Sequence, residues 1–380
     1  MEKNTVTEIL FHSTPLLGCD PEFFFTKDGS VIGAENILNK ENPGNTLIID
    51  GIQAEINPKP ETCRQFLANN IAECIKLAAS EAKKQGATLD FSQAKTLSKK
   101  ELKTASKENR ALGCKPSESA YKSRAILVKN KEDYPHRAGA GHIHIGGGKP
   151  RQNALQEAIH TNTVRFVEML DIIVGNTCVM LDTDPANRIR RRTYGRAGEY
   201  RIASHGGLEY RVLSNFWLKN YVIMSLVFGL TRQAAEIMML SNKESATDKY
   251  ADFEKQIRRK TNMRDIRRAI NQNNPALARR NFEKIAPILS EIFTRDSHPL
   301  WKGGIEDFRF FATHKGLDKW FRTNPATHWT KIDAEQSDPT DGNGLYKGEC
   351  AHLERRTKPR RKNRRRAQKQ RARKQLAEKK

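Results

Sequence analysis

Residues 18–25 read GCDPEFFF, with two acids, Asp20 and Glu22, set around one proline ahead of three phenylalanines. In a β-strand, residues i and i+2 point to the same face. The pair therefore predicts a strand with an acidic side and an apolar side. Three other segments repeat the pattern: Gln53, Glu55 and Asn57 in IQAEINP (52–58), His142 and His144 in GHIHIG (141–146), and Glu209 and Arg211 in LEYRVL (208–213). If the four strands share a sheet, one face collects carboxylates, two imidazoles and a guanidinium. A buried face does not hold such charge without a partner. Divalent cations and phosphates are the natural partners.

Carboxylates two apart on a strand suit a hard, oxygen-preferring cation such as Mg²⁺ or Mn²⁺. His142 and His144, bracketed by glycines, read as a ligand or phosphate site with close backbone approach, and a zinc hydrolase uses the same pair. Glu209 and Arg211 also fit a plain cross-strand ion pair, and Asp50, before Gly51, reads first as a turn residue. Arg188, Arg190, Arg191, Arg192, Arg196 and Arg201 lie within fourteen residues, interleaved with Gly195 and Gly198. Guanidinium forks bind phosphate oxygens in a bidentate way, so this stretch, read as a polar loop, points to a nucleotide phosphate. Together the parts suit phosphoryl transfer, with cations clamping phosphates and arginines neutralising the charge that develops. No Walker P-loop, kinase signature or dinucleotide-binding fingerprint offers another way to hold ATP.

The chain has 380 residues, 37% hydrophobic and 29% charged, with a formal net charge of +23. Residues 354–380 contribute 15 Lys/Arg against 2 Glu, which is +13 of that total. Such an excess points to an anionic partner. Six cysteines without regular spacing read as reduced thiols in a cytoplasmic setting. The apolar run from Tyr221 to Leu230 is short for a bilayer and reads as a core helix, so no membrane partner is expected.

Residues 15–60 read as strands and turns, including an ENPGN turn, followed by a helix capped by Thr62 and Gln65 and stopped near Gly86. Residues 87–135 read as an insertion, partly loop. A long helix is expected from about Asn153 to Leu181. Residues 245–325 read as helical and basic, with an aromatic cluster at 301–321. A linker begins near residue 333, and the basic tail lacks the apolar residues to build a core. The division expected is one catalytic unit, 1–332, and a linker with a disordered basic tail, 333–380.

The order GCDPEFFF, DGIQAEINP, RAGAGHIHIG, RRTYGRAGEYR, GLEYRVLSNF resembles the phage-type carboxylate–amine ligases, type 2, within the glutamine synthetase superfamily. The similarity spans roughly residues 15–235. It implies an α+β fold with a glutamine synthetase-like antiparallel sheet, packed helices and a helical C-terminal segment. It implies ATP, two Mg²⁺ or Mn²⁺ ions, and an acyl phosphate that an amine converts to an amide. By position, Glu22 and Glu55 would bind one metal, and Asp20, His142 and Glu209 the other; a further acid that completes the first site has no clear counterpart, with Asp50 the candidate. His144 would face the ATP phosphates; with Arg191, Arg192, Arg196 and Arg201 it makes up the expected nucleotide contacts. Arg196, Arg201 and Arg211 would act in catalysis. Gly207 stands where glutamine synthetases carry an arginine, so glutamate and ammonia are not implied as substrates. The acid and amine range from small molecules to protein side chains, and oligomeric state is not legible. The competing readings are nucleic-acid binding through residues 354–380 and a metal-dependent hydrolase.

Overall fold

The computed structural model describes residues 15–38, 46–112, 117–122, 134–146, 154–204, 206–241, 248–295 and 324–331. The ENPGN turn, the aromatic stretch 301–321, and the linker and tail from residue 333 lie outside them.

The architecture is α+β, with antiparallel strands and packed helices. One sheet has the order β1 (Leu16–Cys19), β10 (Ile143–Gly146), β12 (Leu208–Tyr210), β11 (Glu199–Ile202), β8 (Glu118–Ser119). A second has the order β3 (Ser30–Ile32), β2 (Glu22–Lys27), β5 (Gln53–Ile56), β4 (Leu47–Asp50), with β6 (Thr88–Asp90) also on β2. A third pairs β7 (Ala94–Thr96) with β9 (His136–Ala138). All named pairings are antiparallel.

The four motifs therefore do not share a single sheet, which corrects the first expectation. Pro21 cannot donate to a ladder, and the run breaks there. Asp20 follows the last residue of β1, and Glu22 opens β2. The two sheets meet at this seam, where the Glu22 amide donates to the Ala140 carbonyl (2.9 Å) and the Ile56 amide to the Pro21 carbonyl (3.2 Å).

The 87–135 stretch is less loop-like than expected, since β6 extends the second sheet and β7 anchors β9 just ahead of β10. Helix α1 (Arg64–Lys84) buries Leu67, Ile71, Cys74, Ile75 and Ala78 at helical spacing. Its N-cap is Cys63, one residue past the expected Thr62, and the Cys63 side chain makes no capping bond. Gly86 (φ +65) lies just past its end, as expected.

The helix expected over 153–181 is broken. Asn162 ends α2 (Ala154–Thr161) and caps α3 (Thr163–Leu170) by accepting from the Arg165 amide. A π-turn, Asp171–Gly175, then precedes α4 (Asn176–Val179). The arginine stretch is not a loop but helix α5 (Ala186–Thr193) followed by β11.

Helix α6 (Tyr221–Ser241) is 21 residues long, so the apolar run read as a core helix is its first half, and the whole is long and apolar enough to cross a membrane. Its apolar window is wholly buried inside the fold, as in a core helix. It packs against α1, α2, α3 and α7 (Asp248–Lys260), with α8 (Met263–Asn271) and α9 (Pro275–Arg295) completing the helical side. Arg165 to Glu254 (2.6 Å) and Arg258 to Glu168 (2.8 Å) tie α3 to α7. Cys19, Cys74 and Cys178 are free and buried. Cys63 is disulfide-bonded, against the expectation of reduced thiols throughout.

Candidate active site

The strand registers build the site. Across the first sheet, Gly18 stands opposite His144, His144 opposite Glu209, and Glu209 opposite Arg201. Across the second, Glu22 stands directly opposite Glu55, and Asp50 opposite Gln53. The seam at Pro21 brings the two rows together.

The first cluster is Asp20, His142, His144 and Glu209. His142 Nδ1 lies 3.0 Å from Asp20 Oδ1 and 3.2 Å from Glu209 Oε1, and His144 Nε2 lies 3.1 Å from Asp20 Oδ2. Glu209 is fully buried, and Asp20 and His142 nearly so. Asp20 Oδ1, His142 Nδ1, His144 Nε2 and Glu209 Oε1 are buried, yet none forms an aligned hydrogen bond. Close, buried polar atoms that miss hydrogen-bond geometry are costly unless something else sits among them. One ligand atom each from Asp20, His144 and Glu209 lies within 4.8 Å of the others, a spacing fit for a cation. The resemblance puts His142 with these two acids and His144 on the ATP phosphates; the set with cation spacing instead contains His144, while His142 Nδ1 approaches both acids from beside it.

The second cluster is Glu22, Asp50 and Glu55, whose ligand atoms also lie within 4.8 Å of one another. Gln53 Nε2 donates to Glu22 Oε2 (2.9 Å) and to the Ala138 carbonyl (2.8 Å), and the Ala140 amide donates to Glu22 Oε2 (3.2 Å). Asp50, read first as a turn residue, completes this set and shares a hydrogen bond with Glu22.

The electrostatics separate the clusters. Burial, then the charges of Asp20, Glu22, Asp50 and Glu209, push the Glu55 carboxyl up to about 10. Burial and the neighbouring Asp50 raise Glu22 well above the usual carboxylate range, and burial raises Asp50. Asp20 goes the other way: burial opposes its ionisation, but His142 and His144 hold it far below its ordinary value. Burial opposes a charge on His144, and Asp20 outweighs it and raises the imidazole. Without a cation the Glu22–Asp50–Glu55 set must retain protons. A divalent ion replaces those protons and removes the repulsion. The donors fit: three carboxylates suit Mg²⁺ or Mn²⁺, and a mixed carboxylate–imidazole set suits Mn²⁺ as well as Mg²⁺.

The arginines divide by role. Arg201 bonds Glu209 Oε2 through Nε and NH2 (2.5 Å each), and Arg211 Nε lies 3.0 Å from Glu209 Oε1 while its NH1 donates to Ser117 Oγ (3.0 Å). Arg190 is buried and donates to the Val212 (2.8 Å) and Leu213 (2.6 Å) carbonyls. Arg191, expected at a phosphate, is also buried and donates to the Gly195 and Val212 carbonyls. Its role here is to hold the backbone. Arg192 is exposed on α5, and Arg196 folds back onto the Arg191 (2.7 Å) and Arg192 (3.1 Å) carbonyls. Of the expected phosphate arginines, only Arg201 contacts the acidic centre. The glycines before His142 admit protein rather than ligand, since a Cβ on Gly141 would lie 2.4 Å from the Ser214 carbonyl and 2.6 Å from Trp217 Nε1.

Tyr194 escaped the sequence reading. Its hydroxyl bonds His142 Nε2, and its ring lies under the Arg190 (5.3 Å) and Arg211 (5.1 Å) guanidinium groups. Its only signal in the sequence is a tyrosine inside the arginine-rich RRTYGR.

An α+β scaffold with paired acidic clusters, two imidazoles and paired arginines defines a candidate divalent-cation centre. Residues 131–295 match the model of the family described as phage phiEco32-like COOH.NH2 ligase-type 2, the family that the motifs resemble. The match takes in His142, His144, Arg201, Glu209 and Arg211, while Asp20, Glu22 and Glu55 precede it. The family's name is that of a carboxylate–amine ligase. No curated protein matches the chain.

Proposed function

We propose that this protein is an ATP-dependent carboxylate–amine ligase of glutamine synthetase-like fold, working through an acyl phosphate. The observation that carries this reading is the pair of clusters, Asp20–His142–His144–Glu209 and Glu22–Asp50–Glu55, joined at one proline and flanked by Arg201 and Arg211. Two divalent cations, when bound, would neutralise the phosphates and orient the terminal phosphoryl group.

A substrate carboxylate oxygen attacks the γ-phosphorus of ATP. The bond to the β–γ bridging oxygen breaks, and ADP leaves with that electron pair. The acyl phosphate has the leaving group that a bare carboxylate lacks. An amine then attacks the carbonyl carbon, phosphate departs, and the nitrogen loses a proton to give the amide. Arg201, partly exposed beside buried Glu209, would meet developing phosphate charge. Arg211 is buried and holds Glu209 in place.

A cavity of about 240 Å³ adjoins His144, walled by Leu16, Pro58, Pro60, Ile145 and Leu208. Its largely apolar walls suit the nucleotide base, with His144 between the base and the acidic clusters. Gly207 also lines this cavity. The acid and the amine remain unassigned.

The test is phosphate release from ATP with Mg²⁺ or Mn²⁺ against pooled acids and amines, with mass detection of the condensed product. Release should require both an acid and an amine, and Glu22→Gln and Glu209→Gln should each reduce it at least about a hundredfold. Turnover intact in both variants would end this reading. Bond cleavage without ATP would favour the metal-dependent hydrolase instead.

A further inference from the structure

We infer that Tyr194 is a positioning residue that aims His142 Nδ1 at the cation held with Asp20 and Glu209. The inference rests on the two-cation part of the function proposed above.

Four contacts form a closed ring. The Tyr194 hydroxyl bonds His142 Nε2, His142 Nδ1 lies 3.2 Å from Glu209 Oε1, Glu209 Oε1 lies 3.0 Å from Arg211 Nε, and the Arg211 guanidinium sits 5.1 Å from the centre of the Tyr194 ring. An imidazole that binds a metal through one nitrogen is held by what its other nitrogen bonds. Here that bond comes from Tyr194. A phenol both donates and accepts. With a cation on Nδ1, the Nε2–H donates to the tyrosine oxygen; without it, the hydroxyl can donate to Nε2. The ring therefore keeps one orientation whether or not the cation is present.

The local backbone is built for this reach. Tyr194 caps α5 in extended geometry (φ −157, ψ 151), so the chain leaves the helix at this residue. Gly195 follows at φ +71, and a Cβ there would lie 2.1–2.5 Å from the Arg190 guanidinium. Arg190, pinned to the Val212 and Leu213 carbonyls, and Arg211 both pack on the Tyr194 ring. The two guanidinium groups hold the aromatic ring independently of its hydroxyl, so Tyr194→Phe removes the bond to His142 and keeps the ring in place.

Mn²⁺ binding without nucleotide, followed by electron paramagnetic resonance, tests this apart from turnover. The set is wild type, Tyr194→Phe, His142→Ala and the double variant. Wild type should bind two ions. Tyr194→Phe should weaken one of them about 10- to 100-fold, leave the Glu22–Asp50–Glu55 ion unchanged, and add no loss on the His142→Ala background. Unchanged affinity in Tyr194→Phe, an equal loss at both ions, or a full further loss on the His142→Ala background would each overturn the inference. A wild type that binds no Mn²⁺ would overturn both the two-cation reading and this inference. If the wild type binds two ions and the phosphate-release screen finds no acid–amine pair, the ligase reading falls while the Tyr194 inference is still decided by its variant.

Discussion

Glu22 and Glu55 stand directly opposite one another on antiparallel β2 and β5. Like charges at a directly opposed pair destabilise a sheet, and Asp50 lies close enough to both to make the repulsion threefold.

Ion-free protein should therefore lose stability as pH rises. Glu55 has a folded-state pKa of about 10, above its unfolded value near 4.5. The folded state keeps a proton that the unfolded state has lost, so this group's contribution is full below about pH 4.5 and declines as pH rises toward 10. Melting in EDTA from pH 5 to 9 should show a falling Tm. Millimolar Mg²⁺ or Mn²⁺ should raise Tm, and by more at higher pH, because the ion displaces protons. Glu55→Gln should flatten the EDTA profile and lose most of the ion effect. Equal profiles with and without ion would count against the cluster.

Asp171 supplies a second pH-dependent contribution, away from the acidic clusters. It is fully buried in the π-turn and accepts from the Tyr210 (2.7 Å) and Tyr121 (2.9 Å) hydroxyls. Burial raises its carboxyl to about 7, which the tyrosine bonds only partly offset. Its contribution is whole below about pH 4 and is lost as pH rises to 7, on the order of a few kcal/mol at most. Asp171→Asn cannot titrate, so its denaturant-derived stability should fall less steeply from pH 4 to 7 than that of wild type. Parallel curves would show that Asp171 stays ionised.

Gly195→Ala should destabilise more than Gly29→Ala. Both glycines have positive φ (+71 and +75), but a Cβ at Gly29 meets nothing within 4 Å, whereas at Gly195 it strikes the pinned Arg190 guanidinium. Backbone strain alone costs about 1 kcal/mol, and the clash should add to it in a urea melt. Equal costs would mean that Arg190 moves freely.

Residues 354–380 carry +13 of formal charge, and we propose that they bind nucleic acid through phosphates. Removing them should abolish binding to duplex DNA or RNA that weakens steeply with salt, and should leave phosphate release intact. Salt-sensitive binding that survives truncation would move the contact to the body of the chain.

Much of the site was legible because polar residues at strand spacing inside apolar frames have few physical explanations. Asp20, Glu22, Glu55, His142, His144 and Glu209 all meet near the seam. Their division between two sheets was not legible, since the i, i+2 rule assumes a continuous strand and Pro21 ends it. Arg190 and Arg191 misled because a guanidinium that caps backbone carbonyls looks, in sequence, like one that awaits phosphate. From its own residues Asp50 looked like a turn residue, because its partners come from a register that local pattern does not encode; only the resemblance offered it as the missing acid. The break at Asn162 was hidden by an apolar period that continues across it.

Anomalous scattering from crystals grown with Mn²⁺ and a non-hydrolysable ATP analogue tests the central claim most directly. Two manganese peaks are expected, one among Asp20, His142, His144 and Glu209 and the other among Glu22, Asp50 and Glu55, with the terminal phosphate between them and Arg201. Full nucleotide occupancy with no manganese at Glu22, Asp50 and Glu55, or a triphosphate bound away from both clusters, would contradict it.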